Sequence, residues 1–362
     1  MAGRLTSKFI ETYFQDAEPQ GFLSAQFRTP ARNFHTSEQV EFDIVRSDEE
    51  VAIAIRSLQD GARYNHDDQY VNKELTPPVY KESASLSAFD LFGREPGDNP
   101  FMEPQYQANA MRRSFRKFRL LENKVRRAIE LQASQVLQTA TNTLTDQNGA
   151  TVYEINFNPK ATHFPTAATG WDESGADPIA DIESLARVIR TDGKRRPDML
   201  IFGATAWRYF SRNAEVREIL DNRRINQANL EPQARGIEGA TYQGFLWIEN
   251  YRYEMYTYDG EYTHPQTSVG TRFIDDEKVV MMSTDTRLDL TYGAIPLIKR
   301  PAQEAMRFMP RQFASTRQGF GFTTNAYFSQ NGEHLFVEGG TRPLCIPTAI
   351  DTFGCIDTNI TP

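Results

Sequence analysis

Between Gln105 and Ala140 the apolar residues recur at helical spacing. At 100° per residue, Met111, Phe115, Phe118, Leu121, Val125, Ile129, Val136 and Ala140 fall on one stripe. Arg112, Arg113, Arg116, Lys117, Arg119, Lys124, Arg126 and Arg127 fall off it, with Glu122 the only acid among them. The spacing predicts a helix over about 105–140, roughly ten turns and about 50 Å long. That is far longer than the usual dozen or so residues, and it suits a spar that crosses an extended subunit.

The pattern differs on either side of this helix. Before it, Val40, Phe42 and Ile44, then Val51, Ile53 and Ile55, alternate at period two and predict strands, although Ala52 and Ala54 would also permit a helix. Residues 1–38 carry isolated aromatics (Phe9, Phe14, Phe22, Phe27, Phe34) with no sustained period. They read as an arm whose rings dock on another surface. Gly93, Pro96, Gly97, Asp98, Asn99, Pro100 and Pro104 form a breaker cluster ahead of the helix.

After the helix, Asp146, Asn148 and Gly149 mark a turn, and Val152, Tyr153, Ile155 and Phe157 a strand. Asp177-Pro178 predicts a helix start, with Asp as the cap, Pro in the first turn, and Ile179, Ile182, Leu185, Val188 and Ile189 on one face. Met199–Phe202 reads as a buried strand, and 204–210 and 214–220 as short helices. Phe245–Ile248, Tyr251–Tyr258 and Val279–Met282 read as further strands, with a turn at Asp259-Gly260. Strands near 320–328, 335–337 and 344–346 return at the end. Helix–strand–helix followed by a meander gives an α+β class.

Charge sharpens this picture. The 362 residues carry 40 Lys and Arg against 48 Asp and Glu, a net −8. A free nucleic-acid binder is more often basic overall. The acids are unevenly placed: Glu38 to Asp68 holds nine, including Glu41, Asp43, Asp48, Glu49 and Glu50, against three arginines. This segment is as acidic as the helix flank is basic. The opening MAGRLTSKFIETYF has no apolar core of a secretory signal. No run of apolar residues is long enough to span a membrane. Cys345 and Cys355 read as two reduced thiols, with a bridge between them the lesser alternative.

Candidate chemistry is thin. The five histidines (His35, His66, His163, His264, His334) are scattered, with no HExxH and no Cys/His metal spacing. His66-Asp67-Asp68 fits a solvated loop better than a metal site. Gly319-Phe320-Gly321-Phe322 lacks the helix start of a phosphate cradle. The near-alternation of Tyr251, Tyr253, Tyr256 and Tyr258 fits a half-buried strand better than a sugar-stacking surface. No catalytic, metal or cofactor residue is assigned, and no cofactor is expected. A carboxylate-dependent hydrolase is the enzymatic alternative.

Three segments carry a family resemblance. They are the basic run Met111–Leu137, then Trp171 followed by Asp177-Pro178, Asp181, Ile182 and Glu183, then Met199–Arg224 with Trp207 and the Arg223-Arg224 pair. In this order they resemble the E family of tailed-phage major capsid proteins, typified by the phage lambda head protein. The resemblance implies the HK97-type capsid fold: an N-terminal arm (1–38), an extended β loop (39–95), a peripheral domain with its spine helix (96–176), an axial domain (177–295) and return strands of the peripheral domain (296–362). It also implies a homo-oligomer of hexamers and pentamers forming an icosahedral virion shell, assembled in host cytoplasm. Scaffolding, portal and decoration proteins would be further partners, and packaged double-stranded DNA a non-specific one. An encapsulin-like compartment shell of the same fold is the alternative.

On this reading the acidic loop of one copy, with Glu41, Asp43, Asp48, Glu49 and Glu50, meets Arg112, Arg113, Arg116, Arg119, Arg126 and Arg127 on the neighbour's helix. The competing readings are a solvated basic flank and a DNA-facing one.

Overall fold

The computed structural model describes residues 21–35, 37, 39–46, 69–87, 106–145, 150–221, 228–234, 239–248, 250–264, 267–295, 323–329 and 333–360. Four helices are named in chain order: α1 (Tyr106–Thr139), α2 (Pro178–Gly193), α3 (Ala204–Phe210) and α4 (Ala214–Asp221). The first strands are β1 (Val40–Arg46), β2 (Gln69–Leu75), β3 (Tyr80–Ser87), β4 (Thr141–Thr145), β5 (Thr151–Asn156), β6 (Met199–Phe202), β7 (Ala228–Ala234), β8 (Ala240–Ile248) and β9 (Tyr251–Tyr258). Then follow β10 (Glu261–Thr263), β11 (Gly270–Arg272), β12 (Lys278–Met282), β13 (Leu288–Tyr292), β14 (Thr323–Phe328), β15 (His334–Thr341), β16 (Pro343–Pro347) and β17 (Phe353–Asp357).

α1 runs for 34 residues because nothing in it breaks a helix: there is no Gly or Pro, and few β-branched residues. It stops where Ala140 takes a left-handed conformation, φ 48°, while its N–H still donates to the Val136 carbonyl at 2.8 Å. β4 starts at the next residue. α2 starts as its sequence predicts. The Asp177 side chain accepts from the Ala180 N–H at 2.9 Å, Pro178 opens the helix, and Lys194 closes it at φ 50°.

Six strands form one mixed sheet in the order β17-β12-β6-β9-β8-β7, with β6–β9 its parallel pair. Both faces are covered, so its central strands read as continuous apolar runs. Along β6, Met199 and Ile201 face the layer that holds α1, and Leu200 and Phe202 the layer that holds α2 and α3. β12 divides the same way, Val280 and Met282 against Val279 and Met281. Ile182, Leu185 and Ile189 of α2 are fully buried there, each worth roughly 1.5–3 kcal/mol of apolar burial.

α1 is the beam on the other face. Its stripe is buried at Phe118, Leu121, Val125, Ile129, Val136 and Ala140. The first half packs on Leu86 and Val337 of the three-stranded sheet β14-β15-β3. The second half joins a core with β13, β16, the β4–β5 hairpin and the six-stranded sheet. The segment 21–35 docks on this same core of its own chain. Phe22, Leu23 and Phe27 are buried, and the Phe34 ring stacks on Tyr292 at 5.1 Å. Its backbone joins β13, with Arg28 N donating to Leu288 O at 2.8 Å and His35 N to Tyr292 O at 2.9 Å. Phe9 and Phe14 lie outside the described residues.

At the chain's end the strand β17 pairs with β12 and closes one edge of the six-stranded sheet. The strand expected at Val51–Ile55 lies outside the described residues.

Candidate assembly surfaces

The flank of α1 opposite its buried stripe is where the cations gather. Arg116, Arg119, Lys124 and Arg127 are exposed, and Arg113, Lys117 and Arg126 are half-buried. Lys124 and Arg126 make ion pairs within the chain. Lys124 Nζ lies 3.1 Å from Glu82 on β3, and Arg126 donates to Glu122 one turn earlier at 2.7 Å. The Lys124–Glu82 pair is exposed, and pairs of that kind add little stability, about 0–1 kcal/mol, orienting side chains more than holding the fold. Leu120 sits within this flank and is 49% exposed. Sequence reasoning missed it, because only its place off the buried stripe marks it as outward-facing.

The acids of the extended loop are placed less fully. Glu41 and Asp43 occupy β1, in register with Glu74 and Asn72 of β2. Asp48, Glu49 and Glu50, and the trio His66-Asp67-Asp68, lie outside the described residues. Arg112 stands on the first half of α1.

A second feature was not legible in sequence. Glu130, on the buried side of α1, is 3% exposed. Its carboxylate accepts from Leu23 N at 2.7 Å, Ser24 N at 2.8 Å and the Tyr258 hydroxyl at 2.9 Å. Burial, and then the Glu130 charge, push the Tyr258 hydroxyl well above its ordinary range. The Phe22 ring sits 5.4 Å from Tyr256 and 5.5 Å from Tyr258. One carboxylate thus ties residues 21–24, α1 and β9 together. A Cβ at Gly21 would push against the Glu130 carboxylate and force it to shift.

Cys345 and Cys355 are free and buried. Burial pushes the Cys355 thiol up to about 12 and Cys345 well above its ordinary value, so neither is a thiolate at neutral pH. Among the described residues no group of three or more His, Cys, Asp or Glu is placed to hold a metal ion. Among them, too, no helix is long and apolar enough to cross a membrane. His163 is buried between the Phe353 carbonyl, 3.0 Å from Nδ1, and Asp192, 3.2 Å from Nε2.

A long beam lies under one face of the sheet, and the segment 21–35 docks on the same core. The model of the family "Phage major capsid protein E" matches residues 10–353, and the chain belongs to that family of phage major capsid proteins. None of the curated proteins matches it. Among solved structures it is similar to a putative capsid protein of a prophage from E. coli CFT073, at 17% identity and TM-score 0.67, over 97% of this chain and 98% of that one. It is also similar to the capsid of Ralstonia phage GP4, at 10% identity and TM-score 0.46, over 94% and 88%. The SrpI encapsulin of Synechococcus elongatus PCC 7942 is a third, at 9% identity and TM-score 0.45, over 90% and 84%. The fold is the HK97-type capsid fold, and the family places the chain among virion components that build multimeric shells. The family match favours a phage head over a bacterial compartment.

Proposed function

We propose that this capsid protein assembles through hexamers and pentamers into an icosahedral shell around double-stranded DNA, in the host cytoplasm and without catalysing a reaction. In this reading the acidic loop of one copy, with Glu41, Asp43, Asp48, Glu49 and Glu50, lies against the α1 flank of its neighbour. The observation that carries it is the cation-rich outer flank of α1, exposed at Arg116, Arg119 and Arg127 with Leu120 among them. An apolar residue ringed by charge matches the build of a protein–protein interface, with a desolvated centre and a polar rim. Arg112, Arg113 and Arg126 extend the same flank. Such a match of charges fixes register and speeds encounter more than it adds affinity. The repeated head-to-tail contact between identical copies closes rings when the rotation allows.

Phosphate contact by the same flank is the second reading, and the net charge of −8 argues against a strong grip on a polyanion. Scaffolding, portal and decoration proteins remain partners of the assembled shell rather than of this surface.

The double variant Arg116→Glu/Arg119→Glu tests the interface. Shells counted by negative-stain microscopy should fall at least tenfold. The soluble subunit should keep its circular dichroism and melting behaviour. Normal shell yield from that variant removes the interface. Normal shells with less DNA assign the flank to phosphate.

A further inference from the structure

His163 stands where the chain crosses from the β4–β5 hairpin to the six-stranded sheet. Three segments meet around it: its own turn (Ala161–His163), the last turn of α2 and the turn Ile350–Thr352 that leads into β17. The packing is close. A Cβ at Gly354 would collide with the His163 carbonyl, and one at Gly193 with the Asp351 carbonyl. The ring is 1% exposed, so water cannot complete its hydrogen bonding.

Both ring nitrogens face acceptors. Phe353 O, 3.0 Å from Nδ1, is a backbone carbonyl and can only accept. Asp192 Oδ2, 3.2 Å from Nε2, belongs to a carboxylate whose other oxygen lies 3.0 Å from Lys160 Nζ. Burial pushes the Asp192 carboxyl up, but the hydrogen bonds and charges of Lys160 and His163 outweigh it and hold the group below its usual range. Asp192 is therefore an anion and an acceptor at neutral pH. A neutral imidazole donates from one nitrogen only, so it would leave one of these acceptors facing a lone pair. The remaining charged group at the site is Asp351, 3.9 Å from Lys160.

We propose that His163 is a proton-operated tether: as imidazolium it binds the end of α2, through Asp192, to the start of β17, through Phe353, and as neutral imidazole it releases one of the two. The tether belongs to the subunit itself and does not depend on how neighbouring copies meet. On the acid side the Asp192 carboxyl turns neutral, and a ring that has lost its proton has lost its second donor. Loss of protons on the alkaline side thus loosens α2 and the β17 crossover together.

Hydrogen exchange read by mass spectrometry on the full-length protein tests this. Exchange is followed at pH 5.5 and pH 8.5, corrected for the intrinsic pH dependence of amide exchange. In the unmodified protein, peptides from 160–166, 186–196 and 350–357 should lose about tenfold in protection on going to the higher pH. Peptides from β9 should not. His163→Gln and Asp192→Asn should each abolish this pH dependence, whatever their overall protection. The Asn variant alters a partly exposed side chain, so it gives the answer if the Gln variant does not fold. Equal protection of these peptides at both pH values in the unmodified protein, or the same pH dependence kept in either variant, overturns the proposal.

Discussion

Glu130 shows how much one residue can carry. Its carboxylate is the shared acceptor of two backbone N–H groups and a tyrosine hydroxyl. An ionised acceptor makes stronger bonds than a neutral one, roughly 1.5–3 kcal/mol each on net. Glu130→Gln keeps the shape but brings an N–H₂ group toward three donors, and it should cost about 2–4 kcal/mol in urea unfolding. Tyr258→Phe removes one donor from the same centre and should cost about 1 kcal/mol. Asp192 gives a pH prediction of opposite origin to the tether's alkaline limit. A carboxylate held below its unfolded value, near about 3.9, adds stability that is complete above that value. The stability is lost as pH falls through the lower folded one. Asp192→Asn should therefore flatten part of the loss of melting temperature below pH 4. An unchanged acid limb would show that the anion adds nothing to folding.

Local signals in the sequence governed the elements best where one force dominated. The α2 start is written in Asp177-Pro178, and the cap bond is present in the fold. Asp177→Ala should lower stability by about 1 kcal/mol, read from the shift of the urea midpoint. α1 was legible because a stripe over ten turns leaves no competing period. Its end was one residue off, because Ala140 turns left-handed where sequence favours Gly or Asn. Strands β4, β7, β10, β11 and β13 went unseen. β10 and β11 are three residues each, too short to show a period, and β4 is Thr-rich with Leu144 its one large apolar residue. β17 was missed for another reason. Its fit to β12 is a pairing across about seventy positions, and no local pattern encodes it.

The molecule as a whole explains why its surfaces were only half legible. The cation flank of α1 stands out in the sequence because helical spacing sorts charge from apolar residues. Leu120 could be found only once the helix was seated and its outer side known. Glu130 and His163 gave no signal at all, since a buried carboxylate or imidazole is identified by neighbours brought from 107 and 190 positions away. The arm is the clearest case. Its aromatics announced a docking surface, and for Phe22, Phe27 and Phe34 that surface is the chain's own core rather than one named by any nearby motif. The family relation and the fold then join these parts into a head protein.

The central claim is that this chain exists to grip copies of itself. Electron microscopy of the purified protein, with light scattering on the same sample, tests it most directly. The account predicts closed, hollow particles tens of nanometres across built from ring-shaped capsomers. A discrete small oligomer that stays so at high concentration would contradict it.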